Sequence, residues 1–172
     1  MKPGAGKRKG GAFEREVAKE LSNALYGNPD ELWRTKSSGS KVEHPGDICP
    51  VRSNVFFPYV VECKDVTVGG WSLDDFFKDK NNLIIQWWNK LLDDRGLAGE
   101  TYKNYNPLLI ITKNYFPILA VTNMITLTPP QWAVFHFNTV DSLIVLPFES
   151  LLAEFKRNRE QWELAKTGLD SK

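Results

Sequence analysis

Asp47, Glu62 and Lys64 are the residues of this 172-residue chain whose types and spacing point to chemistry. Glu62-Cys63-Lys64 closes the apolar run Val60-Val61. In an extended strand alternate side chains share a face, so Glu62 and Lys64 point one way and Cys63 the other. Asp47 follows His44-Pro45-Gly46, and Arg52-Ser53-Asn54 reads as a turn between strands over Ile48–Val51 and Val55–Lys64. That meander brings Asp47 to the face of Glu62 from the neighbouring strand. Two carboxylates held this close repel unless a cation sits between them, and oxygen ligands suit Mg²⁺ or Mn²⁺.

A third carboxylate comes from the first helical pattern. Phe13, Val17, Leu21 and Leu25 recur at helical spacing, with Ala18 and Ala24 beside them. Glu14 lies about 100° from Phe13 on the helical wheel, at the border of the buried stripe, where a carboxylate can look into a cleft. Glu16 and Glu20 fall further from the stripe and are expected to face solvent. A lone Glu-x-Lys is common and carries little by itself. The joint pattern carries the reading: an early helix with Glu14, a polar Ser/Gly loop, an aspartate after a turn and an apolar strand ending in Glu-x-Lys.

Arg8-Lys9-Gly10-Gly11-Ala12-Phe13-Glu14-Arg15-Glu16, then Ser38-Gly39-Ser40, Asp47 and Glu62-Cys63-Lys64 resemble, in this order, the archaeal and phage Holliday junction resolvases. That family belongs to the PD-(D/E)xK nuclease superfamily. The likeness covers roughly the first seventy residues; beyond them only the helix-then-strands rhythm is shared. The resemblance implies an α/β fold: a single restriction-endonuclease-like domain with a mixed central β-sheet flanked by helices. It places the acidic triad on Glu14, Asp47 and Glu62 and the lysine on Lys64. Asp47, Glu62 and the backbone carbonyl of Cys63 would hold one or two Mg²⁺ ions, with Mn²⁺ as a substitute and Glu14 binding directly or through water. Lys64 would either orient or help deprotonate the attacking water, or stabilise the pentavalent phosphate. The products would be a 5′-phosphate and a 3′-hydroxyl.

The family's Arg-x-x-Gly-Ser loop falls near Arg34 to Ser40 and is two residues longer here if Arg34 is the matching arginine. Glycine stands directly before Asp47, where Pro-Asp is commoner. Arg34, Lys36, Ser38 and Ser40 are the candidates for positioning the DNA backbone, since arginines and small hydroxyls suit phosphate oxygens. Arg15 joins them, as do Lys7, Arg8 and Lys9. Three functions follow. The first is a structure-selective endonuclease that resolves four-way junctions as a homodimer. The second is a related nuclease of restriction or DNA-degrading type. The third is a module that binds branched or duplex DNA without cutting, which the intact set of four residues disfavours.

Length allows one substantial core and too little chain for two ordinary domains. The expected division is a flexible basic arm over 1–11 and a nuclease domain over 12–172. Net charge is only +1, but residues 1–41 carry nine Lys or Arg against five Asp or Glu, a local surplus suited to phosphates. No apolar run approaches a membrane span and no hydrophobic stretch follows the basic N-terminus, so a cytoplasmic location is expected, in a prokaryote or a phage-infected cell. Cys49 and Cys63 are expected to be free, and two cysteines with two unclustered histidines give no zinc signature. His44 reads as a loop histidine with a structural role.

Further along, Ser72 reads as a helix cap. Phe76, Phe77, Leu83, Ile84, Trp87, Trp88, Leu91 and Leu92 make one long helix or one broken at Asn81-Asn82. One of the adjacent tryptophans should pack on the sheet while the other faces a partner subunit or DNA. Asp93–Asn106 reads as a surface loop. Leu108–Thr112 and Ile118–Val121 form a hairpin, short strands follow over Ala133–Phe137 and Leu143–Leu146, and a last helix carries Leu151, Leu152, Phe155, Trp162 and Leu164. A helical crossover between the meander and the hairpin should make the sheet mixed.

Overall fold

The computed structural model describes residues 5–35, 44–66, 71–72, 83–123, 133–136 and 142–159, with the backbone alone over 5–9, 133–136 and at 142. Helix α1 (Ala5–Tyr26) leads to strands β1 (Leu32–Arg34), β2 (Ile48–Pro50) and β3 (Tyr59–Val66). Helices α2 (Leu83–Leu97) and α3 (Glu100–Lys103) follow, then β4 (Asn106–Lys113), β5 (Leu119–Thr122), β6 (Ala133–His136), β7 (Ser142–Pro147) and α4 (Phe148–Arg157).

The main sheet has five strands in the order β3-β4-β5-β7-β6. β3 and β4 are parallel, as a helical crossover requires, and the other pairs are antiparallel. Strand alternation divides the core into two layers. Val61, Cys63, Leu108, Ile110, Ala120, Ile144 and Leu146 meet the apolar stripes of α1 and α4. Val60, Leu109, Ile111, Leu119, Val121, Leu143 and Val145 meet Ile84, Ile85, Trp88 and Leu91 of α2. This is the mixed α/β sheet flanked by helices that the sequence leads one to expect. Trp88 is buried on the sheet and Trp87 half-buried against the same layer.

The C-terminus of α1 is closed from two sides. Gly27, at φ 71°, donates its N–H to Asn23 O at 3.0 Å, a left-handed cap that glycine adopts without a Cβ penalty. Arg159 donates to Asn23 O and Ala24 O at 2.9 and 3.1 Å, placing a cation on the helix's last carbonyls.

Three expectations are corrected. β2 pairs with β1 in a separate antiparallel ribbon and not with β3, and β3 starts at Tyr59 rather than Val55, so the expected meander of Ile48–Val51 and Val55–Lys64 is absent. Pro50 and Pro58 cannot donate to a ladder, which limits pairing on both sides of the loop between them; the turn at Arg52 is present, with Val55 N–H bonded to Arg52 O. α2 continues to Leu97 and α3 follows, where the sequence of Asp93–Asn106 suggests a loop. The buried face of Ile84, Ile85, Trp88 and Leu91 carries the helix past the exposed Gly96. α1 begins at Ala5, so residues 5–11 are helix rather than arm. Gly11 is buried with no room to spare: a Cβ there would lie 3.3 Å from Cζ of Arg34. The helix expected over 73–82, the break at Asn81-Asn82, Trp162 and Leu164 lie outside the described residues.

Candidate active site

β3 is an edge strand of the main sheet, and its free edge is where Asp47 docks. The Asp47 N–H donates to Val61 O at 2.7 Å, and Asp47 Oδ2 accepts the N–H of Cys63 at 2.8 Å. In a strand a residue's own N–H and C=O leave on the same edge, so the carbonyl of Cys63 also leaves on the Asp47 side. The approach depends on Gly46. Its φ is 88°, and a Cβ on it would lie 2.6 Å from Val61 O. His44 supports the same turn, its ring edge-on to Tyr102 of α3 at 5.3 Å and its Nδ1 3.0 Å from Pro45 O. Burial lowers the pKa of His44 below its ordinary value, so it is neutral at pH 7 and adds no charge to the site.

Glu62 and Lys64 share a face of β3, as period-2 alternation dictates, and form an ion pair. Glu14, on α1, pairs with Arg34 of β1. Arg34, expected on the phosphate backbone, thus has its guanidinium on Glu14, one of the candidate site carboxylates, which raises its pKa further. Asp47 and Glu62 are both buried. Burial first, then the charge of Glu62 and more weakly that of Glu14, push the Asp47 carboxyl up to about 7, against the opposing pulls of the Cys63 N–H and Lys64. Three carboxyls, Glu14, Asp47 and Glu62, are thus within one another's field at this sheet edge, with Lys64 and Arg34 paired to two of them.

Among the described residues no three His, Cys, Asp or Glu side chains form a ready-made metal cage. Glu62 and Glu14 are each engaged by a cation instead, Lys64 and Arg34. The donor set nevertheless fits a hard cation. Cys63 N–H bonds Oδ2 of Asp47 and Lys64 bonds Oε1 of Glu62, which leaves Oδ1 and Oε2 without a hydrogen bond among the described residues, and the Cys63 carbonyl leaves on the same edge. A set of oxygen donors of this kind suits Mg²⁺ or Mn²⁺.

Of the expected DNA contacts, Arg15 is exposed on α1, while Lys7, Arg8 and Lys9 occupy its first turns, where the backbone alone is described. Lys36, Ser38 and Ser40 lie outside the described residues. Lys90, which sequence reasoning missed, sits on α2; Asp94 chiefly, and also Glu62 and Asp47, raise its pKa. Nothing local in the sequence marks Lys90, because the link to the site runs through helix–sheet packing. Cys49 and Cys63 are free, and burial pushes the Cys63 thiol up. A separate hollow of about 320 Å³ lies between α1 and the ends of β3 and β4, lined by Ala12, Phe13, Glu16, Asp65 and Lys113 among others; none of the four candidate residues lines it. No described helix is long and apolar enough to cross a membrane.

A sequence model of the family described as "Phage putative PDDEXK endonuclease" matches residues 5–171. Searches of curated proteins and of solved structures each found no match.

Proposed function

The chain belongs to this phage PDDEXK endonuclease family, and from that premise we propose that it is a Mg²⁺-dependent DNA endonuclease that resolves four-way junctions as a homodimer. The observation that carries the catalytic part is the docking of Asp47 on Val61 and Cys63, beside the Glu62–Lys64 pair. The run of matched residues from Arg8 to Lys64 supports the junction substrate. Resolution needs paired nicks on opposing strands, hence two sites related by a two-fold axis, and a closed two-fold interface is the commonest oligomeric arrangement.

In this reading Asp47, Glu62 and the Cys63 carbonyl hold the cation, with Mn²⁺ able to replace Mg²⁺, and Glu14 completes the set directly or through water. The bound cation supplies neutralisation of charge developing on a phosphate oxygen and a lowered pKa for water. The chain supplies the rest. Two backbone-anchored bonds fix Asp47, so little reorganisation is needed when the phosphate arrives. Lys64 leaves Glu62 to donate to the attacking water or to the phosphate. Arg34 holds the Glu14 carboxylate in orientation. Lys7, Arg8, Lys9, Arg15, Lys36, Ser38 and Ser40 contact the DNA backbone.

The test compares a synthetic four-way junction with linear duplex and single-stranded DNA of the same sequences, in Mg²⁺ with competitor DNA. Paired symmetric nicks near the branch point, made by a species that sediments as a dimer, are expected. Asp47→Asn and Glu62→Gln should abolish nicking while DNA binding persists, and Lys64→Ala should slow it about 10²- to 10⁴-fold. Equal cutting of linear duplex, or a monomer at micromolar concentration, would transfer the chain to a nuclease of other specificity. Wild-type cutting by both carboxylate variants would remove the site itself.

A further inference from the structure

The side of the β1–β2 ribbon that carries Asp47 also carries an exposed tryptophan, Trp33, and a buried hydroxyl, that of Thr35. Trp33 pairs with Cys49 and Arg34 with Ile48, and the Thr35 N–H donates to Asp47 O at 2.8 Å. Alternation then sets Leu32, Arg34 and Ile48 on one side of the ribbon and Trp33, Thr35, Cys49 and Asp47 on the other. The first side is spoken for: Leu32 and Ile48 enter the core and Arg34 reaches Glu14. On the second side Thr35 is hydrogen-bonded directly across from Asp47, and Trp33 lies one step further along the same side.

Thr35 is 8% exposed, and its Oγ1 has no hydrogen-bond partner among the described residues. A buried hydroxyl left unsatisfied is destabilising, and natural sequences rarely keep one without a use. Beside Asp47 and Glu62, which accept only when ionised, Thr35 adds a neutral donor. Trp33 is 52% exposed, as is the neighbouring Val51, whereas Trp71 and Trp88 are buried. An aromatic face one diagonal step from a candidate metal ligand lies on the scale of one to two nucleotides of a strand, each rising about 3.4 Å. Every base has a π-face that such a ring can stack on.

Resting on the nuclease reading, we propose that this side of the ribbon is a nucleotide-positioning subsite. Thr35 Oγ1 donates a hydrogen bond to a phosphate oxygen at or next to the scissile phosphate, and Trp33 stacks on an unpaired base of an adjoining nucleotide. DNA is favoured over a second copy of the chain because an apolar partner surface would cover Trp33 and Val51 yet leave the Thr35 donor unsatisfied. The subsite would also favour substrates with an accessible base, such as a branch point or a frayed end, over continuous duplex.

The test uses the full chain with two substitutions at each position. Thr35→Val removes the hydroxyl and keeps the shape. It should leave the melting temperature unchanged or raise it, while kcat/KM falls about 10- to 100-fold, and Thr35→Ser should restore most of the rate. Trp33→Ala should raise KM roughly 5- to 150-fold with a smaller change in kcat, and Trp33→Phe should lie between it and wild type. Binding is read separately in an Asp47→Asn background, with 2-aminopurine replacing one base at a time in a four-way junction and in the linear duplex of its arms. Fluorescence should be quenched at one position in the junction, and Trp33→Ala should abolish that quenching.

Wild-type kinetics in Thr35→Val, or a loss of stability matching its loss of rate, would overturn the Thr35 role. Quenching that persists in Trp33→Ala, or a Trp33→Ala protein that loses only its self-association, would overturn the Trp33 role. The nuclease reading fails on a different result, a wild-type chain that nicks none of the DNAs in Mg²⁺ or Mn²⁺; Trp33-dependent quenching would then still establish the subsite.

Discussion

A Cβ placed on Gly46 would lie 2.6 Å from the carbonyl oxygen of Val61, the same oxygen that accepts the Asp47 N–H at 2.7 Å. The glycine before the aspartate is therefore the condition for Asp47 to reach β3. Gly46→Ala meets two penalties: φ 88° is disfavoured for an L side chain by roughly 1–2 kcal/mol, and the added methyl must push the turn away from β3. We expect the melting temperature to fall by on the order of 10 °C and nicking to be lost even where the protein is still folded. A variant that nicks normally below its melting transition would show that Asp47 needs no such anchorage.

The raised pKa of Asp47 makes stability and cation binding depend on pH in opposite senses. Its ordinary value is 3.8, and in the folded chain it stands at about 7. The folded state thus holds a proton that the unfolded state releases. The stability this contributes is fully present below about pH 4 and is lost as pH rises through about 7. A divalent cation held by Asp47 would bind the ionised carboxylate and displace the proton, so its affinity should rise over the same window. The gain in melting temperature on adding Mg²⁺ should be larger at pH 8 than at pH 5, and Asp47→Asn should flatten both effects. An equal gain at the two pH values would count against Asp47 as a ligand.

Much of this arrangement is legible in the residues because it follows from local periodicity. Period 2 puts Glu62 and Lys64 on one face of β3, and period 3.6 puts Phe13, Val17, Leu21 and Leu25 in the core. The β4–β5 hairpin and the parallel β3–β4 pair follow from chain rhythm and the handedness of crossovers. What escapes is set by contacts between distant segments. Asp47 docks by two edge bonds rather than by a ladder, and those depend on the backbone of Gly46. The partner of Arg34 is twenty residues away, on a helix. Gly10 and Gly11 read as a flexible arm, yet they are helical where α1 passes close to the Arg34 side chain. Composition cannot distinguish a glycine that loosens a chain from one that lets two segments touch.

Glu14 and Glu16 separate a site carboxylate from a surface one. Glu14 pairs with Arg34 and contributes to the field at Asp47, whereas Glu16 is exposed. Glu14→Gln should lower cutting about 10- to 100-fold, and Glu16→Gln should stay near wild type. A second readout is independent of rate. Without the Glu14 charge the Asp47 pKa falls, so the pH at which Mg²⁺ begins to stabilise the protein should move down. Equal rates for the two variants and an unmoved pH profile would place Glu14 outside the site.

The first turns of α1 offer the test of electrostatic DNA binding. Lys7, Arg8 and Lys9 lie within α1, so deleting them would shorten the helix that carries Glu14. Replacing all three with alanine keeps helix propensity and removes only charge. For every phosphate no longer neutralised, the slope of log K against log salt should become shallower by about 0.9 on duplex DNA. The triple variant should therefore bind more weakly at low salt, converge on wild type as salt rises, and show a slope shallower by up to about 2.7. Affinity should drop similarly for junction and linear duplex, because binding to phosphates conveys no sequence or branch information. An unchanged slope would take Lys7, Arg8 and Lys9 out of the DNA contact and leave Arg15, exposed on α1, as the next of the expected contacts to test.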